Sequence, residues 1–386
     1  LRLRYNVNGK MDKILIAGTF DILHPGHLNL LRQAKELGDF LIVVMARDEN
    51  VLKTKGQKPF LNEDQRLDNL EKLGLVDKIV LGDLIDPYKV VKEEQPAVVA
   101  LGYDQQTFVN GLIGLRANSR LNFRTERLEP FKEDVCKGRK IKQAVIDDQA
   151  GFLLINKPED WTSHDAVARL RSITGLKQIG HTGTLDPFAT GLLICALGKA
   201  TKLVGLFDIL PKTYEAAVKL GVTSDTYDRT GEVKEQVPKV NISKSQVEKV
   251  LKLFLGKQKQ LPPMYSAKKV GGKKLYELAR QGKEIKRKAS QIEIYDLKLL
   301  DLNDDILKIR VQCSTGTYIR SLASDLGQKL KTGAILEELK RTASGDFSLK
   351  EAVQIERLTK NNYSEFLIKP LEAIDRVNAD YIRRAF

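Results

Sequence analysis

The chain has 386 residues, 42% hydrophobic and 30% charged, with a formal net charge of +14 at pH 7. At roughly 100–200 residues per domain this length calls for two domains, or three, and the composition excludes a disordered chain. Three scattered cysteines (Cys136, Cys195, Cys313) with no CxxC pair exclude a disulfide framework and a cysteine zinc site, and no apolar run approaches the ~18–20 residues of a membrane span.

Residues 1–10 read as a start-site extension or a disordered leader ahead of Met11, without the pattern of a signal peptide. The expected setting is reducing and cytoplasmic, with no membrane partner. KILIAGTF is an apolar run ending in Gly-Thr and predicts a buried strand of a parallel sheet. HLNLLRQAKELG carries apolar residues at helical spacing and closes on Gly38, which predicts a helix. FLIVVMARD is a second buried strand, and EDQRLDNLEKLG is a helix ending at Gly74. KIVLGD, a helix near 87–94 and AVVALGYD complete the series. This alternation predicts an α/β, Rossmann-like parallel sheet with its crevice at the strand C-termini.

Between about 127 and 149 the sequence turns charged and aperiodic, which predicts a boundary. The expected division is a first domain over 11–142, a linker over 143–150 and a second domain over 151–386. In the second, TYEAAVKLG, QIEIYDLKLLDL and ILKIRVQCS read as strands, while KSQVEKVLKLFLG and YIRSLASDLGQKL read as helices. That mixture predicts an α+β domain with a mainly antiparallel sheet. Charge divides at the same place. Residues 1–148 hold 24 Lys+Arg against 22 Asp+Glu, and residues 149–386 hold 40 against 28. The +12 of the second part suits a polyanion such as nucleic acid, or a merely soluble basic protein.

Two motifs carry chemistry. GTFDILHPGH places His24 and His27 where a strand ends in a turn and a helix begins. On its own this is either an anion site, built from imidazoles and a helix N-terminus, or a structural His pair. GHTGTLDPFATGLLICALGKATK presents one acid, Asp186, in a glycine-rich loop ahead of what reads as an apolar helix. A lone Leu-Asp-Pro reads most simply as a helix N-cap.

The stretch GTFDILHPGHLNLLRQAKELGD…VVMARDENV, continued by Gln65-Arg66, VDKIVLGD and ALGYDQ, resembles the cytidylyltransferase-like nucleotidyltransferases. ARDENV and ALGYDQ are most similar to the archaeal-type FAD synthases, with glycerol-3-phosphate cytidylyltransferases the nearest rival. The resemblance implies transfer of AMP or CMP from ATP or CTP, with Mg²⁺, to a phosphate-bearing substrate such as FMN or glycerol 3-phosphate. It places His24 and His27 at the transition state, assisted by Lys53 or Lys55, and Thr19, Phe20 and Asp104 in the nucleotide pocket. Where the family has a Ser/Thr-rich segment this chain reads CKGRKI, leaving Arg139 as the phosphate contact. A catalytically silent nucleotide- or RNA-binding module is the alternative, and the resemblance leaves open a homodimer through this part.

The Asp186 segment resembles the catalytic motif of the TruB family of tRNA pseudouridine synthases. Further blocks occur in order: LLINKPEDWTSHDAV, KTYEAAVKLGVTSDTYDRTGEV, PPMYSAKKVGGKKLYELARQG, CSTGTYIRSLASDLG and LKRTASGDF. The resemblance implies conversion of the T-loop uridine of tRNA (position 55) to pseudouridine without a cofactor or metal. It makes Asp186 the nucleophile or base, Arg320 its charge partner and Tyr214 the ring that stacks on the target base. It places His181, Lys157 and Leu339 against the RNA, and Lys268, Lys273, Lys274 and Arg280 in a basic segment that clamps the T-arm. The chain departs from the family at Asn156, where aspartate is usual, and at Glu159-Asp160, which replace a glycine-containing turn. No PUA domain is expected after PLEAIDRVNADYIRRAF.

Overall fold

The computed structural model describes residues 11–118, 121–266, 269–270, 273–275, 285 and 287–385; the leader, Lys268 and Arg280 lie outside them. The chain falls into two compact units. One takes the chain up to Ala150 together with the segment from Lys369 onward, and the other is Gly151–Ile368.

The first unit runs β1 (Lys13–Gly18), α1 (Pro25–Lys35), β2 (Phe40–Met45), α2 (Asp48–Lys55), α3 (Glu63–Lys72), β3 (Lys78–Leu81), α4 (Lys89–Glu94), β4 (Val98–Leu101), α5 (Thr107–Asn118), β5 (Arg124–Arg127) and α6 (Gly138–Val145). All strand pairs are parallel, in the order β3-β2-β1-β4-β5. The unbroken apolar runs follow from burial on both faces. Ile14 and Ile16 of β1 pack with Leu41, Val43 and Met45 of β2 in one cluster, while Leu15 packs with Val44, Val99 and Leu101 in another. The order reverses between β1 and β4, so the loop after β1, which carries the histidines, opens at the switch point where such sheets bind ligands. α3 begins on a reciprocal Asn62–Gln65 cap.

The second unit runs β6 (Gly151–Lys157), α7 (Ser163–Thr174), β7 (Ile179–Thr182), β8 (Thr190–Leu197), β9 (Lys212–Leu220), β10 (Val222–Ser224), β11 (Val233–Glu235), α8 (Lys244–Lys252), β12 (Gly256–Gln260), β13 (Lys269–Val270), β14 (Lys273–Lys274), β15 (Ser290–Asn303), β16 (Ile306–Cys313), α9 (Ile319–Leu330), β17 (Ala334–Ser344), β18 (Phe347–Ser348) and β19 (Val353–Gln354). Among the described residues the main sheet has ten strands, with the path β12-β15-β16-β9-β17-β8-β6-β19 and with β18 on β17 and β7 on β8. It is antiparallel except at β17–β8 and β19–β6. Side chains of β9, β16 and β17, such as Ala216, Val311 and Leu336, form its core with Leu322 and Leu326 of α9 and Val247 and Leu251 of α8. No described helix is long and apolar enough to cross a membrane.

Three expectations need correction. The apolar run after Asp186 is the strand β8, not a helix. It is a short run between glycines with both faces buried, where hydrophobic periodicity cannot separate strand from helix. The segment read as aperiodic follows directly on β5 and holds α6, which occupies the first part of the expected linker 143–150. α6 has a narrow apolar stripe, Ile141 and Ala144, within a charged octet. Lastly, α10 (Pro370–Ala385), expected at the end of the second domain, packs against α1 and α6 of the first unit. Its apolar stripe, with Ala373, Ile374 and Val377 all buried, found its partners there.

Candidate active sites

In the first unit the turn after β1 is sharp. Phe20 sits at φ 49° yet is buried, and its ring lies 5.4 Å from that of His27. The backbone strain is tolerated because packing fixes the ring. His24 caps α1, its Nδ1 accepting from the Gly26 amide at 3.1 Å, which leaves its proton on Nε2. The His24 and His27 rings stack at 3.9 Å. Two cations at that spacing are excluded, and burial disfavours charge on either ring. Burial, then His27, holds the His24 imidazole well below its ordinary value. Burial lowers His27 to about 4 against an opposing pull from Asp21. The site therefore offers an uncharged imidazole pair at a helix N-terminus, with the Nε2–H of His24 as a donor. Gly26 is required by close approach: a Cβ there would lie 2.9 Å from the Cβ of Cys136 and from the His24 ring.

Around this pair the Lys55 ammonium donates to Thr19 Oγ1 at 2.9 Å. Asp21 accepts from the Phe60 and Leu61 amides at 2.8 and 2.9 Å. The fully buried Arg66 donates to the carbonyls of Thr19 (2.5 Å) and Ala46 (2.8 Å) and to Asp48 (2.7 Å), tying the ends of β1 and β2 together. Thus Thr19, Phe20, His24, His27 and Lys55 come together. Lys53 lies on α2, Asp104 beyond β4 and Arg139 in the first turn of α6. Arg66 was quoted in the resemblance without a role, and its buried position explains it.

In the second unit Asp186 lies in the loop between β7 and β8, which other elements pin by its main chain. Ser163 Oγ at the start of α7 accepts from the Leu185 amide at 3.0 Å. Arg341 of β17 donates to the carbonyls of Gly183 (3.1 Å) and Leu192 (2.7 Å). Gly191 permits this approach, since a Cβ there would fall 2.3 Å from the Arg341 carbonyl oxygen. Arg320, near the start of α9, meets Asp186 through two nitrogens: Nη2 donates to Oδ1 at 3.0 Å and Nε lies 2.9 Å from Oδ2. Its side chain is 6% exposed and that of Asp186 is 32% exposed, so the pair presents the carboxylate outward. Burial pushes the Asp186 carboxyl above its ordinary value. Arg320 pulls it down, and a second acid, Asp228, adds to the rise.

Asp228 was not singled out in the sequence. Its Oδ2 lies 3.4 Å from Arg320 Nη1, so one guanidinium serves two carboxylates. Its Oδ1 accepts from Thr226 Oγ1 (2.7 Å), Thr230 N (2.9 Å) and Thr230 Oγ1 (2.5 Å). The alternating hydroxyls and acids of SDTYDRTG were the available signal. Tyr214 of β9 is buried opposite Arg341 of β17, and burial pushes its phenol up against the opposing guanidinium. The His181 ring stands edge-on to His164 at 5.7 Å and is lowered to about 4 by burial, then by His164.

The placement of Lys157 against RNA is corrected. It is wholly buried, and its ammonium donates to the carbonyls of Pro158 (2.8 Å), Trp161 (2.6 Å) and Pro187 (3.0 Å). It fastens the 158–161 turn to the Asp186 loop and has no donor left for phosphate. Burial lowers it to about 8. In that turn Asp160 takes φ 62°, a conformation that favours glycine. Leu339 is buried and lines a cavity of about 380 Å³ with Phe188, Arg229 and Lys340. Lys273 and Lys274 form β14, which pairs with β13.

Comparison with known proteins matches family models to both parts of the chain. Residues 171–319 match the TruB family pseudouridylate synthase (N-terminal domain) model, and residues 320–375 match the tRNA pseudouridylate synthase B C-terminal domain model. Residues 15–151 match the cytidylyltransferase-like model. The tRNA pseudouridine synthase B of Clostridium novyi (strain NT) is 44% identical over 232 residues, which are 60% of this chain and 80% of that protein. Among solved structures, a Cbf5-Nop10-Gar1 complex aligns with 62% of this chain and 64% of its own at 26% identity and a TM-score of 0.46. A lipopolysaccharide core biosynthesis protein from Thermoplasma volcanium GSS1 aligns over its whole length with 32% of this chain, at 34% identity and a TM-score of 0.30.

Proposed function

The chain belongs to the TruB family of pseudouridylate synthases, and from that premise we propose that its second unit converts the T-loop uridine at position 55 of tRNA to pseudouridine. The observation that carries this reading is the Asp186–Arg320 pair, a carboxylate fixed through two contacts by a buried guanidinium and left about a third exposed. The reaction breaks the N1–C1′ bond of uridine, joins C5 to C1′ and releases the C5 hydrogen as a proton. It is redox-neutral and needs one carboxylate beside C1′ and C6, as nucleophile or base. Arg320 keeps Asp186 ionised against its desolvation. On this reading Tyr214 would stack on a base that must first leave the RNA stack, and the neutral His181 ring is suited to fill the space vacated. Lys and Arg of the 271–288 run supply phosphate contacts to the T-arm. Asp186→Asn is expected to abolish pseudouridine formation and to leave tRNA binding within a few-fold. A variant that turns over at a comparable rate overturns the assignment.

For the first unit the reading is nucleotidyl transfer from ATP or CTP to a phosphate-bearing acceptor, FMN or glycerol 3-phosphate. An acceptor phosphate oxygen attacks the α-phosphorus, the bond to the β-phosphate breaks, and pyrophosphate leaves. His24 and His27, with Lys55 beside Thr19, are suited to the charge that builds on the α-phosphate. Among the described residues no cluster of three or more His, Cys, Asp or Glu gathers for a metal. A Mg²⁺ here would be held largely by phosphate oxygens and would neutralise their charge. The ordered neutral His pair favours this reading over a silent binding module. Purified chain with ATP or CTP, Mg²⁺ and either acceptor is expected to release pyrophosphate, and His24→Ala to stop it. Release that is absent, or indifferent to His24→Ala, supports the silent module.

A further inference from the structure

The C-terminal helix α10 lies in the first unit, after the whole of the second. Its inward stripe is Pro370, Ala373, Ile374, Val377 and Asn378, spaced as one helical face. Four members are apolar, and a buried amide in such a stripe is costly unless it is bonded. Asn378, 7% exposed, donates from Nδ2 to the carbonyl of Leu23 at 3.0 Å. Leu23 is the residue directly before His24. One turn along, the Tyr381 hydroxyl donates to Asn29 Oδ1 at 3.1 Å, two residues after His27. Asn29 is itself buried and also takes a bond from Arg32 at 3.2 Å. The Tyr381 ring meets Phe131 edge-on at 5.6 Å, in the segment leading to Cys136, which abuts Gly26.

We propose that Asn378 and Tyr381, carried on the last helix of the chain, are positioning residues for the His24–His27 site, so that the synthase unit is an insertion within a nucleotide-handling unit. The two hydrogen bonds bracket the histidines, one just before His24 and one just after His27. A loop bearing a left-handed Phe20 has no regular structure of its own to set the Leu23 carbonyl, and the Asn378 amide supplies the fixed point. The inserted unit begins and ends side by side, since Phe152 and Ile368 exchange two backbone hydrogen bonds of 2.9 Å. Chain entry and exit side by side are what an insertion requires.

The consequence for catalysis rests on the nucleotidyl-transfer reading, while the positioning itself does not. The test uses the full chain and the variants Asn378→Leu and Tyr381→Phe, the latter keeping its ring contact with Phe131. The imidazole resonances of the four histidines are followed by NMR without nucleotide. Those of His24 and His27 are expected to shift and to titrate at higher pH in Asn378→Leu, and more weakly in Tyr381→Phe. His164 and His181 are expected to stay in place, with pseudouridine formation unchanged. With ATP or CTP and an acceptor, kcat for pyrophosphate release is expected to fall at least about tenfold in Asn378→Leu with little change in KM. Unchanged His24 and His27 resonances in both folded variants overturn the proposal. Shifted resonances in a chain that releases no pyrophosphate uphold it and refute the nucleotidyl-transfer reading alone.

Discussion

Replacing Asp228 with asparagine isolates the sharing of Arg320. Three donors converge on Asp228 Oδ1, so an asparagine must place its carbonyl there and turn its amide nitrogen toward Arg320 Nη1, which now lies 3.4 Å from Oδ2. A donor would face a donor beside side chains that are 4% and 6% exposed. Removing one partner of a buried ion pair costs about 3–5 kcal/mol. Asp186 still compensates Arg320, so the expected loss lies near the low end, about 3 kcal/mol. The guanidinium is a rigid fork, so swinging Nη1 away also moves Nε and Nη2 off Asp186. A shift of that order, about 1 Å, costs roughly 100-fold in rate. Asp228 holds the Asp186 carboxyl up and Arg320 pulls it down more strongly, so a guanidinium that swings off Asp186 moves any acid limb of the rate profile to higher pH even with Asp228 gone. The assay is release of tritium from tRNA labelled at uridine C5, paired with denaturant unfolding of the same preparation. A rate within twofold of wild type together with an unchanged unfolding midpoint would refute the sharing.

Gly191→Ala puts a Cβ at φ 99° within 2.3 Å of the Arg341 carbonyl oxygen and 2.9 Å of its amide nitrogen. Backbone cannot yield as a side chain can, so a loss on the order of 3 kcal/mol or more is expected in the second unit. Gly183→Ala, whose nearest neighbour is the flexible end of Arg341 at 3.4 Å, should cost less; equal unfolding midpoints would contradict the close-approach argument. The lowered His24 and His27 imidazoles make the unfolded chain the better proton binder below pH 6.5. The stability they contribute is present above 6.5 and is lost as pH falls toward 4. Denaturant midpoints of the first unit at pH 7 and pH 5 should diverge in wild type and converge when both are alanine; an equal pH dependence in the two chains counts against burial as the cause.

β1, β2 and β4 were legible because unbroken apolar runs between glycine turns have few alternatives in a sequence that alternates with amphipathic helices. α1 and α3 were legible from spacing and from Gly38 and Gly74. β8 was not, because a strand buried on both faces loses the period of two that would identify it. The Asp186–Arg320 pair spans 134 positions, and only resemblance to a family joined them in advance. Asp228 stayed hidden for the same reason, as its partner is set by tertiary structure. Lys157 was placed only through the resemblance, and its burial on three carbonyls is set by tertiary structure. α10 was legible as an amphipathic helix, but no pattern in its stripe says which unit it covers.

The buried cations also change the meaning of the basic charge. Lys157, Lys212, Arg320 and Arg341 of the second unit are all nine-tenths buried or more, and so is Arg66 of the first. Each gives donors to main-chain carbonyls: Lys157 at Pro187, Arg341 at Gly183, Lys212 at Phe207 and Leu210, Arg320 at Tyr265 and Arg66 at Thr19. Three of those carbonyls lie in the two loops that carry the reactive groups. A long cation reaching from a neighbouring element can hold such a loop by its backbone and leave the side chains free to act, which neither a sheet nor a helix can do there. Part of the excess of Lys and Arg in 149–386 is therefore spent inside the protein, and less of it faces a polyanion than the sum suggests. On the proposed tRNA reading, the basic run at 271–288 would carry more of the phosphate contact than its share of the charge implies. Neutralising lysines there should flatten the salt dependence of tRNA binding, whereas Lys157→Met should leave it unchanged while lowering turnover.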